Sequence, residues 1–347
     1  MEEDVKIQKE LTKLGIVKLE ELKPEMVNYI AHSVANKITT TFLTLQMQYN
    51  EILAKMLNCK MYYAKIPSNI AKVNYIYEDN SIYIDESMNI LELDEQFYHE
   101  VIHCLQVVRK NNGKIKKVGL CNFGDFAING LGINEAIVQY MASKIMENEK
   151  AKVNIYGIKL QTISPNYFPL LTNLMEQIIY YIGENVIVQA AINVNENFED
   201  IFYNTFEEKT NQIIKNFDKI LEMRNKLSTE SNEQTKIELE KKIYNIYIET
   251  QEFMLNKYYE QVIPRLTTEK EVDSYIEKLS NNKVYLGMEE KEEFAKTNFY
   301  ERTKEMIIQK LDKQLIKINK QKQKKALLVY NNKLKKFLEK TISYLWN

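Results

Sequence analysis

Glycine and proline are scarce in this chain, which has nine glycines and five prolines among 347 residues. Both residue types end helices and form tight turns, so their scarcity predicts long helices with few breaks. Cysteine is scarce as well. Cys59, Cys104 and Cys121 are an odd number without a CxxC pair, which indicates neither a disulfide framework nor a cysteine zinc site. We expect three buried thiols in a reducing compartment.

The sequence also lacks an apolar leader and a long apolar run. Its first fifteen residues, MEEDVKIQKELTKLG, are charged from the second residue onward, and no later stretch has about 18 uninterrupted apolar residues. Hydrophobic residues make up 45% of the chain and charged residues 27%, which is typical of folded soluble proteins and excludes general disorder. These features predict a cytoplasmic protein, and export by an unconventional route would leave the same pattern.

Changes in local composition and hydrophobic periodicity divide the chain into three predicted regions. These are a helical N-terminal segment (1–58), a core (59–195) and a helical C-terminal region (196–347). The core begins with short runs rich in β-branched residues and tyrosine, which predict three strands in a small antiparallel sheet. These runs are Met61–Ile66, Ala71–Tyr77 and Ile82–Ile84. The predicted fold class is α+β and mostly α.

Two helices follow the predicted strands. Asp94 is a good N-cap for the first, which we expect to end near Asn111, and the second begins around Asn134.

The C-terminal region ends in a basic tail. Residues 301–347 contain thirteen Lys or Arg and four Asp or Glu, and their apolar positions predict two amphipathic helical segments joined by a lysine-rich stretch.

Only three histidines occur, and two of them stand in the sequence His-Glu-Val-Ile-His at 99–103. On a helix, residues four apart lie on one face about 6 Å apart along the axis, so His99 and His103 can bind one metal ion. Glu100 is turned aside and can reach a water on that ion. The pattern predicts a Zn²⁺ site with Glu100 as general base. The alternative is an ordinary helix that carries two histidines by coincidence.

A catalytic zinc site usually has three protein ligands, and no histidine follows His103. The best placed remaining donor is Glu135, at the start of the second helix. Its alternative role is that of an ordinary acidic residue in a first helical turn. An HExxH helix followed by the pair Asn134-Glu135 resembles the gluzincin metallopeptidases, the thermolysin-like branch of the zincins. The resemblance covers roughly residues 82–137.

The resemblance implies that Glu135 is the third zinc ligand. It also implies a zincin-like core, in which the edge strand of a small sheet holds extended substrate beside the HExxH helix and the glutamate helix.

One position departs from the family pattern. Thermolysin-like members have an acidic residue four positions after the ligand glutamate, where it bonds a ligand histidine, and this chain has Gln139. Gluzincins also stabilise the oxyanion with Tyr or His, for which Tyr156 is the candidate, whereas His32 is expected to be structural.

The predicted function is therefore a zinc-dependent metallopeptidase, with a peptide or protein as substrate and Zn²⁺ as cofactor. Hydrolysis of a non-peptide amide is a further possibility. A different class of function is a zincin-fold binding or scaffold protein that cleaves weakly or not at all and uses its basic C-terminal region. The tail itself is expected to pack as a solvated helical pair, with nucleic acid or an anionic membrane as the alternative contacts.

Overall fold

A computed structural model of the chain describes residues 2–110, 113, 115–123, 128–192, 198–280, 284–285, 288–289 and 298–345. Helices dominate, with several small sheets among them, which confirms the predicted α+β, mostly α class. The chain forms two compact units, Met1–Met254 and Leu255–Asn347. None of the helices in these ranges has the length and apolar character needed to cross a membrane.

Most of the helices belong to the first unit. They are α1 (Glu2–Leu14), α2 (Pro24–Thr41), α3 (Tyr49–Leu57), α4 (Glu95–Gln106), α5 (Leu131–Ile145), α6 (Pro169–Ile182), α7 (Glu184–Ile192), α8 (Phe198–Phe206) and α9 (Thr210–Thr229). A tenth, α10 (Glu233–Val262), begins in the first unit and ends in the second. Gly183 is the C-cap of α6, and Glu230 is the C-cap of α9.

The main sheet has four strands: β1 (Val17–Glu21), β2 (Lys60–Lys65), β3 (Val73–Ile76) and β4 (Ser81–Asp85). Their order is β1-β2-β4-β3, with β2 and β4 parallel and the other two pairs antiparallel. The predicted three-stranded antiparallel sheet was therefore wrong in strand number and in one pairing. β3 and β4 form a hairpin and β3 takes the edge, which leaves β4 to pair with β2 in parallel.

The N-terminal segment 1–58 is not purely helical, because β1 lies within it. All five residues of β1 are exposed, so this strand has no buried face that would produce an apolar alternation. It is held instead by backbone pairing with β2. The first region predicted from the sequence thus contributes directly to the sheet of the predicted core.

α4 is the central helix of the first unit. Its N-cap is Asp94, as predicted, whose side chain accepts a hydrogen bond from the Phe97 N–H at 2.9 Å. The helix ends at Gln106, earlier than predicted. The following residues form β5 (Val107–Arg109), which pairs with β6 (Ile115–Val118) and diverts the chain into the connection to α5.

Short hairpins complete the first unit. These are β7 (Asn122–Phe123) with β8 (Ile128–Asn129), and β9 (Ala151–Ile155) with β10 (Ile158–Thr162). All three cysteines are buried free thiols, as the sequence predicted.

The second unit contains α11 (Glu269–Ser280), the strands β11 (Val284–Tyr285) and β12 (Met288–Glu289), and α12 (Asn298–Leu345). A short 3₁₀ turn, Ile263–Arg265, separates α10 from α11. α12 is one continuous helix of 48 residues, so the lysine-rich stretch that joins the two predicted amphipathic segments is itself helical. Lysine and glutamine are good helix formers and do not interrupt it.

The two halves of α12 differ in burial. Leu311 is fully buried and Ile318 nearly so, and Gln314 donates to the Leu266 carbonyl at 2.8 Å. From residue 320 to residue 336 every residue is exposed. Leu327 and Tyr330, two apolar residues of this stretch, are 61% and 63% exposed. The predicted solvated helical pair is therefore not formed in the described part of the tail.

Candidate metal centre

The helical turn between His99 and His103 brings the two imidazoles together inside the first unit. Both side chains are buried, and their Nε2 atoms lie 3.1 Å apart. The opposite side of α4 is held by its apolar residues, of which Val101 and Leu105 are fully buried. α4 thus fixes two nitrogen donors at one point, as the spacing in the sequence predicted.

Glu135 reaches the same point from α5. Its Oε2 lies 3.2 Å from Nε2 of His99, and its Oε1 lies 3.3 Å from Nε2 of His103. Among the residues that the structure describes, His99, His103 and Glu135 form the one group of three donors that could hold a metal ion. The three residues chosen from the sequence as ligands therefore meet.

The spacing of these donors fits a metal ion. Zinc ligands at about 2.0–2.1 Å in tetrahedral geometry lie about 3.4 Å from one another. The distances of 3.1, 3.2 and 3.3 Å among His99, His103 and Glu135 are close to that value. Which lone pairs face the common point depends on the hydrogen bonds at the far side of each imidazole.

At His99 the far side of the ring is held by an amide. Gln139 Oε1 accepts from Nδ1 at 2.9 Å, while its Nε2 donates to Glu95 at 2.7 Å and to Ser164 at 2.9 Å. Those two acceptors orient the amide so that its oxygen faces the ring. Ser143 also donates to Glu95. The Nδ1 proton of His99 is thereby fixed, and its Nε2 lone pair faces the donor cluster.

Gln139 therefore bonds the His99 ring at the position where the resemblance led us to expect an acidic residue. The carboxylate is still present, but it belongs to Glu95 and lies beyond the amide. Sequence reasoning missed Glu95 because it lies four residues before His99 and 44 residues from Gln139, and only the packing of α4 against α5 joins them.

At His103 the partner is Tyr77, whose hydroxyl lies 3.0 Å from Nδ1. Burial raises the pKa of Tyr77 and the charges of Glu135 and Glu100 add to this, so the phenol stays protonated. With Nδ1 donating to the phenol oxygen, Nε2 of His103 also carries a lone pair toward the cluster. Two lone pairs and a carboxylate then converge, and a cation at their centre satisfies all three.

The electrostatics of the cluster agree with this geometry. Burial alone lowers the pKa of His99, but the hydrogen bond and the charge of Glu135 outweigh it, so that pKa lies above its ordinary value. Burial alone raises the pKa of Glu135, but His103 and His99 outweigh it and the pKa is strongly lowered. Glu135 is thus a permanent anion that draws a cation to this point.

Glu100 lies beside the donors but is not one of them. Its Oε2 accepts a hydrogen bond of 2.8 Å from the backbone N–H of Tyr75 in the edge strand β3. Burial raises the pKa of Glu100, and the nearby His99 and His103 offset this only in part. The carboxylate is therefore both oriented and more basic than an exposed one.

α9 holds the glutamate helix in place. Asp218 accepts from the backbone N–H groups of Gly130 and Gly132, each at 2.8 Å, at the start of α5. A Cβ on Gly132 would lie 2.2 Å from the Phe217 carbonyl oxygen, so only glycine permits this approach of the two backbones. These contacts fix the position of Glu135 in the second turn of α5.

The donors open into a cavity of about 330 Å³. Glu100, Tyr77 and Gln96 line it together with residues of β3. Tyr156, the oxyanion candidate from the sequence, lines a neighbouring cavity instead. His32 is exposed on α2, where its Nδ1 bonds the Tyr49 hydroxyl at 2.5 Å, and it takes no part in the cluster.

Comparison with known proteins adds no further constraint on the site. No family model, no curated protein and no solved structure matches the chain.

Proposed function

We propose that this protein is a zinc metallopeptidase of the gluzincin type, with His99, His103 and Glu135 as ligands and Glu100 as general base. The convergence of the three donors, at spacings that suit a tetrahedral ion, is the observation that carries the proposal. The order of edge strand, HExxH helix and glutamate helix supports a zincin-like core.

The reaction proposed is the hydrolysis of a peptide bond. Zinc supplies Lewis acidity, which lowers the pKa of a water molecule and polarises the scissile carbonyl. Glu100 takes one proton from that water as its oxygen adds to the carbonyl carbon, and it then passes the proton to the amine that leaves. The bond from the Tyr75 N–H keeps the carboxylate aimed, and its raised pKa suits a group that must hold a proton briefly.

The remaining residues of the site orient the ligands. Gln139 and Tyr77 each hold one Nδ1 proton, so that both Nε2 atoms remain available to the ion. The apolar packing behind α4 excludes water from the rear of the centre. The 330 Å³ cavity leaves room for a few side chains of a peptide in front of it.

The test combines elemental analysis with digestion of an unbiased peptide library. We expect about one zinc per chain, lost in His99→Ala and retained in Glu100→Gln. Glu100→Gln should lower hydrolysis by about 10²- to 10⁴-fold. His32→Ala is the matched control and should keep both zinc and activity, because His32 lies outside the cluster. A protein that purifies without zinc and cannot be reloaded would contradict the proposal.

A second candidate function is that of a binding protein that cleaves weakly or not at all and uses the tail as its working surface. The observation in its favour is the exposed part of α12, where residues 320–336 include seven lysines and no acidic residue. The apolar group Leu327, Leu328, Val329 and Tyr330 lies within it and is also exposed. Lysine with exposed leucine suits an anionic lipid surface better than nucleic acid, because phosphate contacts leave the leucines in water.

Vesicle binding tests this candidate. Vesicles that contain phosphatidylserine should retain the full chain, phosphatidylcholine vesicles should not, and Leu327→Ser with Tyr330→Ser should weaken retention. Zinc content without hydrolysis of any library peptide, together with such retention, would favour the binding protein over the peptidase. Equal recovery with both vesicle types would remove this candidate.

A further inference from the structure

A second cavity, of about 190 Å³, adjoins the metal centre in the first unit. Phe168 lines both cavities. The walls of the second cavity are mostly isoleucine, leucine and proline side chains of β9, α6, α9 and α10. Its polar lining residues are Tyr156, Asn166 and Arg224. A charged group in so apolar a cavity requires an explanation, because desolvating a cation without a partner is unfavourable.

Arg224 has no counterion within the described part of the chain. Its guanidinium carbon lies 4.3 Å above the centre of the Phe168 ring, a cation–π contact that leaves the N–H donors free. Lys226, two residues further along α9, differs in both respects. It is exposed and pairs with Glu222 at 2.6 Å. The half-buried cation on this helix thus has no salt-bridge partner in the described part of the chain, and the exposed cation is paired.

Arg224 is also close to the metal centre. The Phe168 ring that it covers stacks on the His99 ring, with the two ring centres 6.0 Å apart. Because both contacts share one ring, the guanidinium carbon is at most about 10 Å from the centre of the His99 ring, which is roughly three residues of extended peptide. Burial lowers the pKa of Arg224, and Tyr156 and the Glu135 carboxylate act in the opposite direction.

Phe168 stands at this junction in a strained conformation. It is the N-cap of α6 with φ at 48°, in the left-handed region that a bulky residue rarely adopts. Strain of this kind persists where the surroundings hold a residue in place, and such residues cluster at binding sites. The ring is therefore a fixed wall shared by the metal centre and the Arg224 cavity.

On the basis of the proposed peptidase function, we propose that Arg224, assisted by the Tyr156 hydroxyl, binds a carboxylate of the substrate within about three residues of the cleaved bond. Arginine presents several N–H donors in a planar fork that matches a carboxylate, and the apolar walls strengthen such a pair by excluding water. Two carboxylates have this chemistry: the C-terminus of the peptide, and the side chain of Asp or Glu.

The test measures binding to zinc-loaded Glu100→Gln, which removes the base without removing a ligand. Four pools of random tetrapeptides are used: free acid or amide at the C-terminus, each with or without Asp and Glu among the side chains. Affinity selection followed by mass spectrometry gives the enrichment of each pool. Pools that contain the bound kind of carboxylate should be enriched about 10- to 100-fold over the amide pool without acidic residues.

Comparison of the pools identifies the source of the carboxylate. Enrichment of the neutral-side-chain acid pool assigns the C-terminus, and enrichment of the amide pool with Asp and Glu assigns the side chain. Arg224→Met in the Glu100→Gln background should abolish either preference. Lys226→Met, which removes the same charge from the exposed side of α9, should leave it unchanged. Zinc content and the thermal midpoint of each variant are measured alongside.

Equal enrichment of all four pools would overturn the inference, and this result requires no Arg224 variant to fold. A preference that survives Arg224→Met would overturn it as well. The proposed function is tested separately, by hydrolysis in the wild-type chain. An inactive wild type combined with an Arg224-dependent preference would refute the peptidase and retain the carboxylate site. An active wild type that shows no carboxylate preference would retain the peptidase and refute the carboxylate site.

Discussion

α4 and the segment 320–336 of α12 carry similar sequence patterns, with apolar residues three or four positions apart among polar ones, but they have opposite surroundings. In α4 all residues from 97 to 106 except Glu100 are buried. In 320–336 every residue is exposed. Periodicity therefore predicts that a segment is helical, whereas burial depends on whether another element packs against it.

The polar groups of α4 and of segment 320–336 differ in how firmly other side chains hold them. His99 and His103 each have a fixed partner at Nδ1 and share Glu135 at Nε2. The lysines of the exposed segment lie in water, where rotamer freedom and screening weaken any pairing. Chemistry that needs atoms held within a few tenths of an ångström belongs in the first environment, and association with a surface suits the second.

The largest expected difference in unfolding free energy lies between two positions of α12. Leu311 and Leu327 are both leucines of α12, the first fully buried and the second 61% exposed. Leu311→Ala should lower the free energy of unfolding by about 3 kcal/mol, through lost burial and the cavity left behind. Leu327→Ala should change it by less than about 0.5 kcal/mol. Urea denaturation of the full chain measures both, and similar losses would show that the distal segment is covered in solution.

The second prediction concerns the support of His99. Gln139→Leu removes the acceptor for its Nδ1 proton and should weaken zinc binding by about 10- to 100-fold. Gln234→Leu, an exposed glutamine on α10, is the matched control and should leave zinc binding unchanged. Competition with a chelator of known affinity gives both values. Unchanged affinity in Gln139→Leu would mean that the amide does not orient the ring.

Exchanging the amide and the carboxylate between positions 139 and 95 tests this prediction further. Gln139→Glu alone places a second carboxylate against Glu95, so the family's acidic residue should not restore a stronger site. The double variant Glu95→Gln with Gln139→Glu keeps one carboxylate and one amide in contact. We expect it to bind zinc more tightly than either single variant. Equal affinity in all three would show that Glu95 and Gln139 do not act together.

A smaller effect is expected at the start of α5. Asp218→Asn keeps the size of the side chain but removes the charge that accepts from Gly130 and Gly132. It should lower the free energy of unfolding by about 1 kcal/mol, because a charged acceptor at a helix N-terminus is lost. Asp273→Asn on α11, where the aspartate is exposed, serves as control. Thermal unfolding of both variants checks the difference.

The smallest effect is the proton release that accompanies zinc binding. Burial lowers the pKa of His99, but Glu135 outweighs it and holds that pKa above its ordinary value in the metal-free chain. Zinc requires the neutral imidazole, and binding should release about one proton or less below that pKa. Apparent zinc affinity should rise with pH up to the pKa of His99 and then level off. An indicator dye in weak buffer records the release, and pH-independent release would contradict the assignment.

The local features of the site could be predicted from the sequence. The N-cap Asp94, the shared face of His99 and His103, and a second helix that presents Glu135 all follow from spacing and capping over a few residues. The family resemblance singled out Glu135 as the third candidate ligand, and the structure brings its carboxylate to within 3.3 Å of both histidines. Short-range geometry is set by the helix itself, so it needs no knowledge of the rest of the fold.

Contacts between distant segments could not be predicted. Tyr77 approaches His103 through the packing of α4 against β3, and the β2–β4 pairing depends on where β3 lies in the sheet. Tyr77 is one of 23 tyrosines, and no local signal separates it from the rest. The same limit applies to Arg224, whose significance comes from a cavity formed by residues about 70 positions apart.

The hydrogen bond from Tyr75 to Glu100 has a consequence for how a peptide could lie along β3. An edge strand offers alternate N–H and C=O groups to an added strand, and the Tyr75 N–H already donates to Glu100. A peptide docked there is therefore one main-chain bond short of a regular ladder at the residue opposite Tyr75. Its register must be set by side-chain pockets on either side, so sequence selectivity should be concentrated around that gap rather than spread along the strand.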